Sequence, residues 1–344
     1  MSQSVTFLYL QQEDVIACGG LDMAATMAAV EKAFSLYDRG EVMEPQAPVI
    51  RWGGLEGRRV TMHPAWVGGD QDIMGIKWIP SNPENPVKLG LPRSNALTII
   101  NDPHSGYPLA VMDGKVISDM RTGAVAGVGA RYLARPGADT VALLGAGPIA
   151  RTQLMAVHVA LPVIRQVRVY DTRQENAARF ADEESQRLGL TRGAFFLAES
   201  AKEAVSGADV VCGATNAGLK DRYLEPGWLR PGTLLVNTSV NDPTFAVVQE
   251  ADLVVVDSHK QFQAEGTVLV ACKDAGLLDP DQVVEIGSII NGEHPGRNSP
   301  EDLILFSPLG MGMNDIINAK RVYENALGMG KGVHLKLWDA PVWV

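Results

Sequence analysis

A glycine-rich turn carries the clearest chemical signal in the sequence. Gly145 and Gly147 follow a short apolar run and precede a helix-like stretch, and Ala150 stands three residues later. Gly145 permits a tight turn, Gly147 lets the backbone approach a pyrophosphate, and a small residue at Ala150 allows close helix–strand packing. The helix that begins with Pro148 and Ile149 would present its positive end to the phosphates. We therefore predict a dinucleotide site, although a strand–turn–helix without any ligand also produces such a loop.

A carboxylate follows the next strand at the spacing of a ribose ligand. Asp171 lies 24 residues after the second glycine, close to the roughly 20-residue offset at which an acidic side chain binds the ribose 2′-hydroxyl. We predict that Asp171 and the adjacent Thr172 bind NAD. Arg173 could instead hold the 2′-phosphate of NADP, or be an exposed residue at a helix start. A later loop, with Thr215 and Asn216, is expected to meet the cofactor again.

Lys77 lies in an apolar stretch, residues 73–79, that reads as a strand with both faces buried. A lysine buried there must find an anionic partner or lose its charge. We predict that Lys77 binds a carboxylate or exchanges a proton with an amine. The alternative is an edge lysine whose stem is covered while its ammonium reaches water.

Two arginines are further candidates. Arg121 lies early in a helix of small residues, and its planar fork suits a substrate carboxylate or a pyrophosphate. The alternative is a structural ion pair with Asp119 or Asp113. Arg51, just before a glycine pair, is the weaker candidate from the residues alone.

An aspartate stands where ligands of parallel sheets bind. Asp242 follows an apolar strand, at the edge where open α/β sheets hold their ligands. Because Pro243 follows it, Asp242 also fits a helix N-cap with proline in the first turn. His63 could be catalytic, but an isolated histidine is more often structural.

The elements that must position these residues change in kind along the chain. The first part is predicted to hold a helix, then short strands joined by turns, and then a long helix, at residues 22–40, 59–62, 73–79, 96–101, 109–113 and 117–133. Beyond it, strands and helices alternate as in a parallel sheet, at residues 140–144, 148–160, 166–170, 174–188, 209–214, 233–237 and 253–257. A helix over 314–327 and a strand over 334–338 complete the chain. The length favours two domains.

Composition excludes several classes of function. The formal net charge of −10 argues against a nucleic-acid partner, which needs clustered lysine and arginine. No apolar run approaches the roughly 20 residues that cross a bilayer, and no signal-peptide pattern opens the chain. The three cysteines and six histidines lack metal-ligand spacing, so we predict no metal site. Unpaired cysteines suit a reducing compartment, and we expect a cytoplasmic protein.

Taken together, these segments resemble the ornithine cyclodeaminase/μ-crystallin family over nearly the whole chain. The resemblance is carried by residues 62–65, 75–77, 90–92, 106–113, 117–124, 145–147 and 309–315. It implies an α/β protein with a Rossmann NAD(P)-binding domain over 126–314. An α+β substrate-binding and dimerisation domain would be built from 1–125 with 315–344, and the protein would be a homodimer.

The resemblance also assigns roles to the candidate residues. It implies that Lys77 and Asp242 flank the reacting C–N bond, and that Arg51, Lys77 and Arg121 hold the substrate carboxylate. Asp242 thereby becomes the preferred general acid/base. Amine and imine chemistry needs ionisable groups of this kind, because protons move on and off nitrogen as a hydride moves at carbon.

Several reactions occur in this family, so alternatives stay open. We expect an NAD-dependent amino-acid dehydrogenase or imine reductase, and residues 77–86 and 90–93 look closer to the siderophore-type amino-acid dehydrogenases and to family members of unclear function. Ornithine cyclodeaminases carry a glutamate that receives the distal amine, and here Thr61 is the nearest match. The alternatives are therefore a cyclodeaminase that converts ornithine to proline and ammonia, and a non-catalytic binder of NAD(P)H and a small ligand, as in μ-crystallin.

Overall fold

A computed structural model describes residues 4–54, 57–161 and 163–343. The strands are β1 (Val5–Leu10), β2 (Val42–Met43), β3 (Val49–Arg51), β4 (Arg59–Val67), β5 (Ile73–Ser81), β6 (Leu97–Asn101), β7 (Pro108–Asp113), β8 (Thr140–Leu144), β9 (Gln166–Tyr170), β10 (Phe195–Leu197), β11 (Val210–Gly213), β12 (Leu234–Val236), β13 (Leu253–Val256), β14 (Val284–Glu285), β15 (Ile304–Phe306) and β16 (Val333–Trp338). The α-helices are α1 (Gln12–Val15), α2 (Met23–Asp38), α3 (Asn85–Lys88), α4 (Lys115–Leu133), α5 (Pro148–Ala160), α6 (Gln174–Leu188), α7 (Ala201–Val205), α8 (Phe245–Glu250), α9 (Val268–Asp274), α10 (Ile286–Ile290) and α11 (Gly312–Met329). No helix in this described part of the chain is long and apolar enough to cross a bilayer.

The chain forms two compact units. One consists of Met1–Arg121 with Met311–Val344, and the other of Thr122–Gly310. The first boundary falls inside α4. The two boundaries follow Arg121 and Gly310, four residues before the predicted divisions after residues 125 and 314.

The second unit contains a sheet whose strands all run parallel. Their order is β10-β9-β8-β11-β12-β15-β13-β14. Residues Val141 to Leu144 of β8 are completely buried, as expected for the centre of a sheet that has helices on both faces. The order reverses between β8 and β11, so the loops that follow these two strands flank the crevice where such sheets bind ligands. This is the predicted α/β architecture with a Rossmann-type nucleotide unit.

The first unit is built on a mainly antiparallel sheet. Its order is β16-β1-β7-β6-β5-β4-β2, and β3 also pairs with β4. Helix α11 packs on β4, β5 and β6 and against α2, so one face of the sheet is covered. Side chains alternate along each strand, and those on the covered face include Leu10, Ile100 and Met112, which are all fully buried.

The opposite face of this sheet is apolar but uncovered. Tyr9, Leu97 and Leu335 lie on it and are 38%, 49% and 41% exposed. Val111 and Ile99 are opposite each other on β7 and β6 and continue the same apolar surface. An extended apolar face of this kind marks an interaction surface.

Candidate functional site

The glycine turn borders a large cavity in the second unit. Gly147 is the N-cap of α5, and Gly145 has φ +99°, a conformation that favours glycine. A Cβ at Gly145 would lie 2.8 Å from the Ala214 carbonyl oxygen, whereas a Cβ at Gly147 would meet, beyond its own chain neighbours, no atom of the described residues within 4 Å. The turn thus needs glycine at Gly145 for its fold, while the space beside Gly147 is left open.

The cavity has a volume of about 970 Å³. The predicted cofactor residues that line it are Gly145, Gly147, Pro148, Asp171, Thr172, Arg173, Thr215 and Asn216. Ile149 lies one residue further along α5 and is not among the lining residues. The turn, the carboxyl ends of two strands and a helix start are all present, so the site fits a dinucleotide.

Asp171 is fixed at the wall of this cavity by hydrogen bonds. Its Oδ2 accepts from the Ala146 N–H at 3.0 Å, and its Oδ1 accepts from the Arg173 N–H at 2.9 Å and from Asn176 Nδ2 at 3.1 Å. The carboxylate therefore ties β9 to the glycine turn and also faces the space where a ribose would lie. Arg173 immediately precedes α6, and with Arg179 and Lys202 it adds positive charge to the same wall.

Asp242 is a completely buried carboxylate held by hydroxyl groups. Its Oδ1 accepts from Thr215 Oγ1 at 2.5 Å, and its Oδ2 accepts from Ser239 Oγ. Burial raises the pKa of Asp242, and the hydrogen bonds from Ser239 and Thr215 partly oppose that rise. Val240, two residues earlier, has φ +63°, which is strained for a β-branched side chain.

The alternative interpretation of Asp242 as a helix N-cap is wrong. Helix α8 begins at Phe245, and its N-cap is Thr244. The Asp242 side chain turns instead to the loop after β11, where Thr215 lies. Backbone strain and a raised carboxyl pKa in one loop are both features that concentrate at functional sites.

In the first unit, Lys77 and Arg121 meet on a single buried carboxylate. Lys77 Nζ donates to Asp315 Oδ2 at 2.8 Å, and Arg121 Nε donates to Asp315 Oδ1 at 3.2 Å. Ser118 Oγ accepts from Lys77 Nζ at 3.2 Å. Lys77 and Asp315 are fully buried and Arg121 is nearly so. Two cations thus share the Asp315 carboxylate, and the charge of Glu44 also favours the charged form of Lys77.

This environment changes the protonation of the lysine. Burial, aided by the charge of Arg121, lowers the pKa of Lys77 to about 8, although Asp315 acts in the opposite direction. The pKa of Asp315 is lowered, because Arg121 and Lys77 together outweigh its burial. An amine that titrates near neutrality can exchange protons with a substrate amine.

A row of polar side chains crosses the covered face beside Lys77. His63 on β4 and Thr98 on β6 are directly opposite Lys77 in the sheet. His63 Nδ1 and Thr98 Oγ1 are buried and have no hydrogen-bond partner among the described residues. Burial and the charge of Lys77 lower the pKa of His63 to about 3, so the imidazole is neutral near pH 7.

The third predicted carboxylate ligand, Arg51, lies apart from this cluster. It ends β3 and is exposed, and its cross-strand partner is Arg59. The alternative for Arg121, a structural ion pair with Asp119 or Asp113, named the wrong carboxylates. Arg121 pairs with Asp315, and Asp119 pairs with Lys115. Lys77 is not an edge lysine, since β5 lies between β4 and β6.

Comparisons with known proteins identify the family of this chain. The sequence profile of the ornithine cyclodeaminase/mu-crystallin family matches residues 8–330. The chain belongs to this family. It is 34% identical to N-((2S)-2-amino-2-carboxyethyl)-L-glutamate dehydrogenase of Staphylococcus aureus, over 96% of this chain and 98% of that protein. It is 33% identical to alanine dehydrogenase of Archaeoglobus fulgidus, with the same coverage of each chain.

A solved structure of another family member is also similar. The structure of Thermococcus litoralis Delta(1)-pyrroline-2-carboxylate reductase, in complex with NADH and L-proline, matches with a TM-score of 0.88 and 32% identity. The match covers 96% of this chain and 100% of that chain. The family resemblance that the sequence motifs indicated is therefore confirmed.

The sequence alone did not identify Asp315 beside Lys77, or Ser239 and Tyr223 beside Asp242, as site residues. Asp315 lies in a segment that carries the family resemblance, but it is followed by Ile316 and Ile317 and gives no sign of its partners. The one sequence feature that could have identified Asp315 is its place as a carboxylate in the first turn of an apolar helix. Ser239 and Tyr223 beside Asp242 left no comparable signal, because hydroxyl residues are common in loops.

Proposed function

We propose that this protein is an NAD-dependent oxidoreductase that acts on the C–N bond of a small amino acid or of its imine. The observation that carries the proposal is the buried cluster in which Lys77 Nζ and Arg121 Nε both donate to the Asp315 carboxylate. In this cluster burial lowers the pKa of the Lys77 amine. Relatives of this chain are named as dehydrogenases of alanine and of an amino-acid derivative, and as a pyrroline-2-carboxylate reductase. These substrates share a carbon that carries both a nitrogen and a carboxylate.

The proposed reaction is balanced by one water molecule. In the oxidative direction an amino acid, NAD⁺ and water give the 2-oxo acid, ammonium, NADH and a proton. When bound in the cavity lined by Gly145, Gly147 and Asp171, NAD⁺ would supply the hydride-acceptor chemistry at the carbon next to nitrogen. We assign Arg121 and Lys77 to the substrate carboxylate, and Arg51, the third residue that the family resemblance implies there, lies apart from these two. Lys77 also exchanges a proton with the substrate nitrogen, and Asp242 acts as the general acid/base for that nitrogen and the attacking water.

The first experiment incubates the purified protein with NAD⁺ and a panel of amino acids that includes alanine, glutamate and ornithine. NADH is followed by absorbance and the products by mass spectrometry. Net NADH with a 2-oxo acid supports the proposal. Proline and ammonia from ornithine without net NADH would establish the cyclodeaminase instead, and tight NADH binding without turnover of any substrate would favour a binding protein.

We propose NAD as the preferred cofactor because Asp171 faces the expected ribose position. Asp171→Ala should lower kcat/KM for NAD⁺ by about ten-fold or more, since a charge-assisted hydrogen bond contributes roughly 1.5–3 kcal/mol. It should lower kcat/KM for NADP⁺ far less, because a 2′-phosphate is repelled by the carboxylate. Steady-state kinetics with both cofactors measure the ratio. Arg192→Gln, an exposed change outside the cavity, is the control. Equal losses for both cofactors would mean that Asp171 only stabilises the turn.

We propose a cytoplasmic location, because a reducing compartment suits the unpaired Cys18, Cys212 and Cys272.

We also propose a homodimer in which the uncovered apolar sheet faces of the two first units pack together. The relative from an archaeon is described as an alanine dehydrogenase dimer. Two lysines in an apolar interface leave buried, unpaired charges. Leu97→Lys with Leu335→Lys should therefore reduce the mass from twice 36.9 kDa to 36.9 kDa in multi-angle light scattering.

Val159→Lys is the matched control for the dimer, because Val159 is a 42% exposed apolar residue on α5 of the other unit. Its mass should stay that of the parent protein. A double variant on Leu97 and Leu335 that keeps the parent mass would exclude this face as the interface.

A further inference from the structure

The first turn of α11 carries Asp315 to Lys77 but has no cap of its own. The first N–H groups of a helix have no acceptor within that helix. Met311 is the N-cap residue of α11, and its side chain accepts no hydrogen bond from the turn. Gly312 and Met313 are the first two helical residues, so their N–H groups need an acceptor from elsewhere in the chain.

Glu44, directly after β2, provides both acceptors. Its Oε1 accepts from the Gly312 N–H at 2.6 Å, and its Oε2 accepts from the Met313 N–H at 3.0 Å. Glu44 and Gly312 are 268 residues apart in the chain. A carboxylate at the positive end of a helix makes charge-assisted hydrogen bonds and is also favoured by the helix dipole. Both carboxylate oxygens of Glu44 therefore hold the start of α11.

The same turn lies directly against the sheet. A Cβ at Gly312 would lie 2.8 Å from the His63 carbonyl oxygen, so the helix start contacts β4 without any side chain between them. Asp315 is three residues later and thus on the same side of the helix as Gly312. From there it accepts from Lys77 Nζ at 2.8 Å. A displacement of this turn would therefore move the Asp315 carboxylate away from the amine.

Several charged or titratable groups act on Lys77. Burial and the charge of Arg121 on α4 lower the pKa of Lys77, whereas Asp315 on α11, and then Glu44, act to raise it. His63 on β4 is neutral near pH 7. Glu44 thus favours the ammonium by its own charge, and its hydrogen bonds hold the turn that carries Asp315.

We propose that Glu44 is a positioning residue of the amine site, which holds the first turn of α11 so that Asp315 meets Lys77 and Arg121. This inference rests on the proposed function, because the amine it serves is the group that exchanges protons with the substrate. Glu44 acts through Asp315. A carboxylate that only stabilised the helix would affect folding and leave the titration of Lys77 unchanged.

The first test is the pH dependence of the intact enzyme. A proton-exchanging lysine with a pKa of about 8 gives kcat/KM a change of slope near pH 8. Glu44→Gln removes the charge and leaves only one acceptor oxygen for the two N–H groups. The change of slope should therefore move to lower pH, by about half a unit or more. An unmoved profile would overturn the inference.

Glu41→Gln is the matched control. It makes the same chemical change three residues away, directly before β2, where the Glu41 carboxylate accepts from Arg39 Nε at 2.8 Å. The profile of Glu41→Gln should match that of the wild-type protein. An equal shift in both variants would mean that any carboxylate of this segment has the same effect, which also overturns the inference.

The second test asks whether Glu44 acts through Asp315. Substitutions that share one structural path are not additive. In an Asp315→Asn background, Glu44→Gln should move the profile at most about half as far as it does in the wild-type background. A shift of full size in both backgrounds would show that Glu44 acts on Lys77 without Asp315, and the positioning role would be wrong.

A stability measurement tests the same inference without any substrate. The pKa of Lys77 in the folded protein, about 8, is below the roughly 10.4 of a lysine in an unfolded chain. Between these pH values the unfolded chain binds more protons, so the stability of the protein relative to its Lys77→Met variant rises with pH. Urea unfolding over a pH series should place the start of this rise at lower pH in the Glu44→Gln background than in the Glu41→Gln background.

This readout separates failure of the inference from failure of the proposed function. If the start of the rise moves but no amino acid or imine is turned over, the placement of Asp315 by Glu44 stands and the reaction is wrong. If turnover is found but neither the kinetic profile nor the start of the rise moves, the oxidoreductase stands and the inference is overturned. A lower melting temperature of Glu44→Gln with an unmoved start would mean that Glu44 only caps the helix.

Discussion

Replacement of Lys77 by methionine is expected to lower kcat/KM by about 10²- to 10⁴-fold, the usual contribution of a group that transfers protons. Methionine has a similar length and is apolar, so it fits a fully buried position, and Asp315 keeps its ion pair with Arg121. The fold and NADH binding should therefore survive. Steady-state kinetics, with NADH fluorescence titration as the control, separate lost catalysis from lost cofactor binding.

The pH dependence of kcat/KM is a second test of the proton-transfer role of Lys77. Because burial and Arg121 lower the pKa of Lys77 to about 8, its ammonium form dominates below that pH and the neutral amine above it. The wild-type profile of kcat/KM should change slope near pH 8, and the change should be absent in Lys77→Met. Asp315→Asn removes the anion that favours the ammonium, so the change should move to lower pH. An unaltered profile in both variants would exclude Lys77 as the titrating group.

Asp242→Asn is expected to cause the second large loss, again about 10²- to 10⁴-fold in kcat/KM. Asparagine has the same shape, its Oδ1 can accept from one of the two hydroxyl groups of Thr215 and Ser239, and its Nδ2 can donate to the other, but it cannot carry the proton. Since burial raises the pKa of Asp242, the wild-type profile should also show an acidic limb that disappears in the variant. The measurement is a pH series of single-turnover rates with saturating NAD⁺.

Asp209→Asn is the matched control for this loss. Asp209 is equally buried and bonds to Arg135, to Arg230 and to the N–H groups of Asp139 and Thr140, where β8 begins. Its replacement should lower the melting temperature without lowering turnover per folded molecule. If Lys77→Met and Asp242→Asn both retain full turnover, the catalytic assignment is wrong and a binding role becomes the better account.

Local patterns determined much of the nucleotide unit. The predicted bounds of β8, α5, β9 and α6 agree with the structure at every residue. Strand β8 is an apolar run that ends at the glycine turn, β9 alternates apolar and polar residues, and α5 begins at Pro148 directly after Gly147. Interactions between near neighbours in the chain are enough to set such elements. In the first unit the same reasoning found β4, β5, β6, β7 and β16 but missed β1, β2 and β3. It also ended β4 five residues early, at Met62 rather than Val67.

Only the tertiary structure decided which charged groups meet. Strand β1, which was not predicted, lies between β16 and β7, and β16 comes from the far end of the chain. Lys77 and Asp315 are 238 residues apart, and their contact exists because α11 returns to pack on β5. The cross-strand pair of Arg51 and Arg59 likewise depends on register. The sequence by itself determined the residue types and the local elements. Partners, burial and charge states depend on distant segments that pack together, and local pattern does not encode that packing.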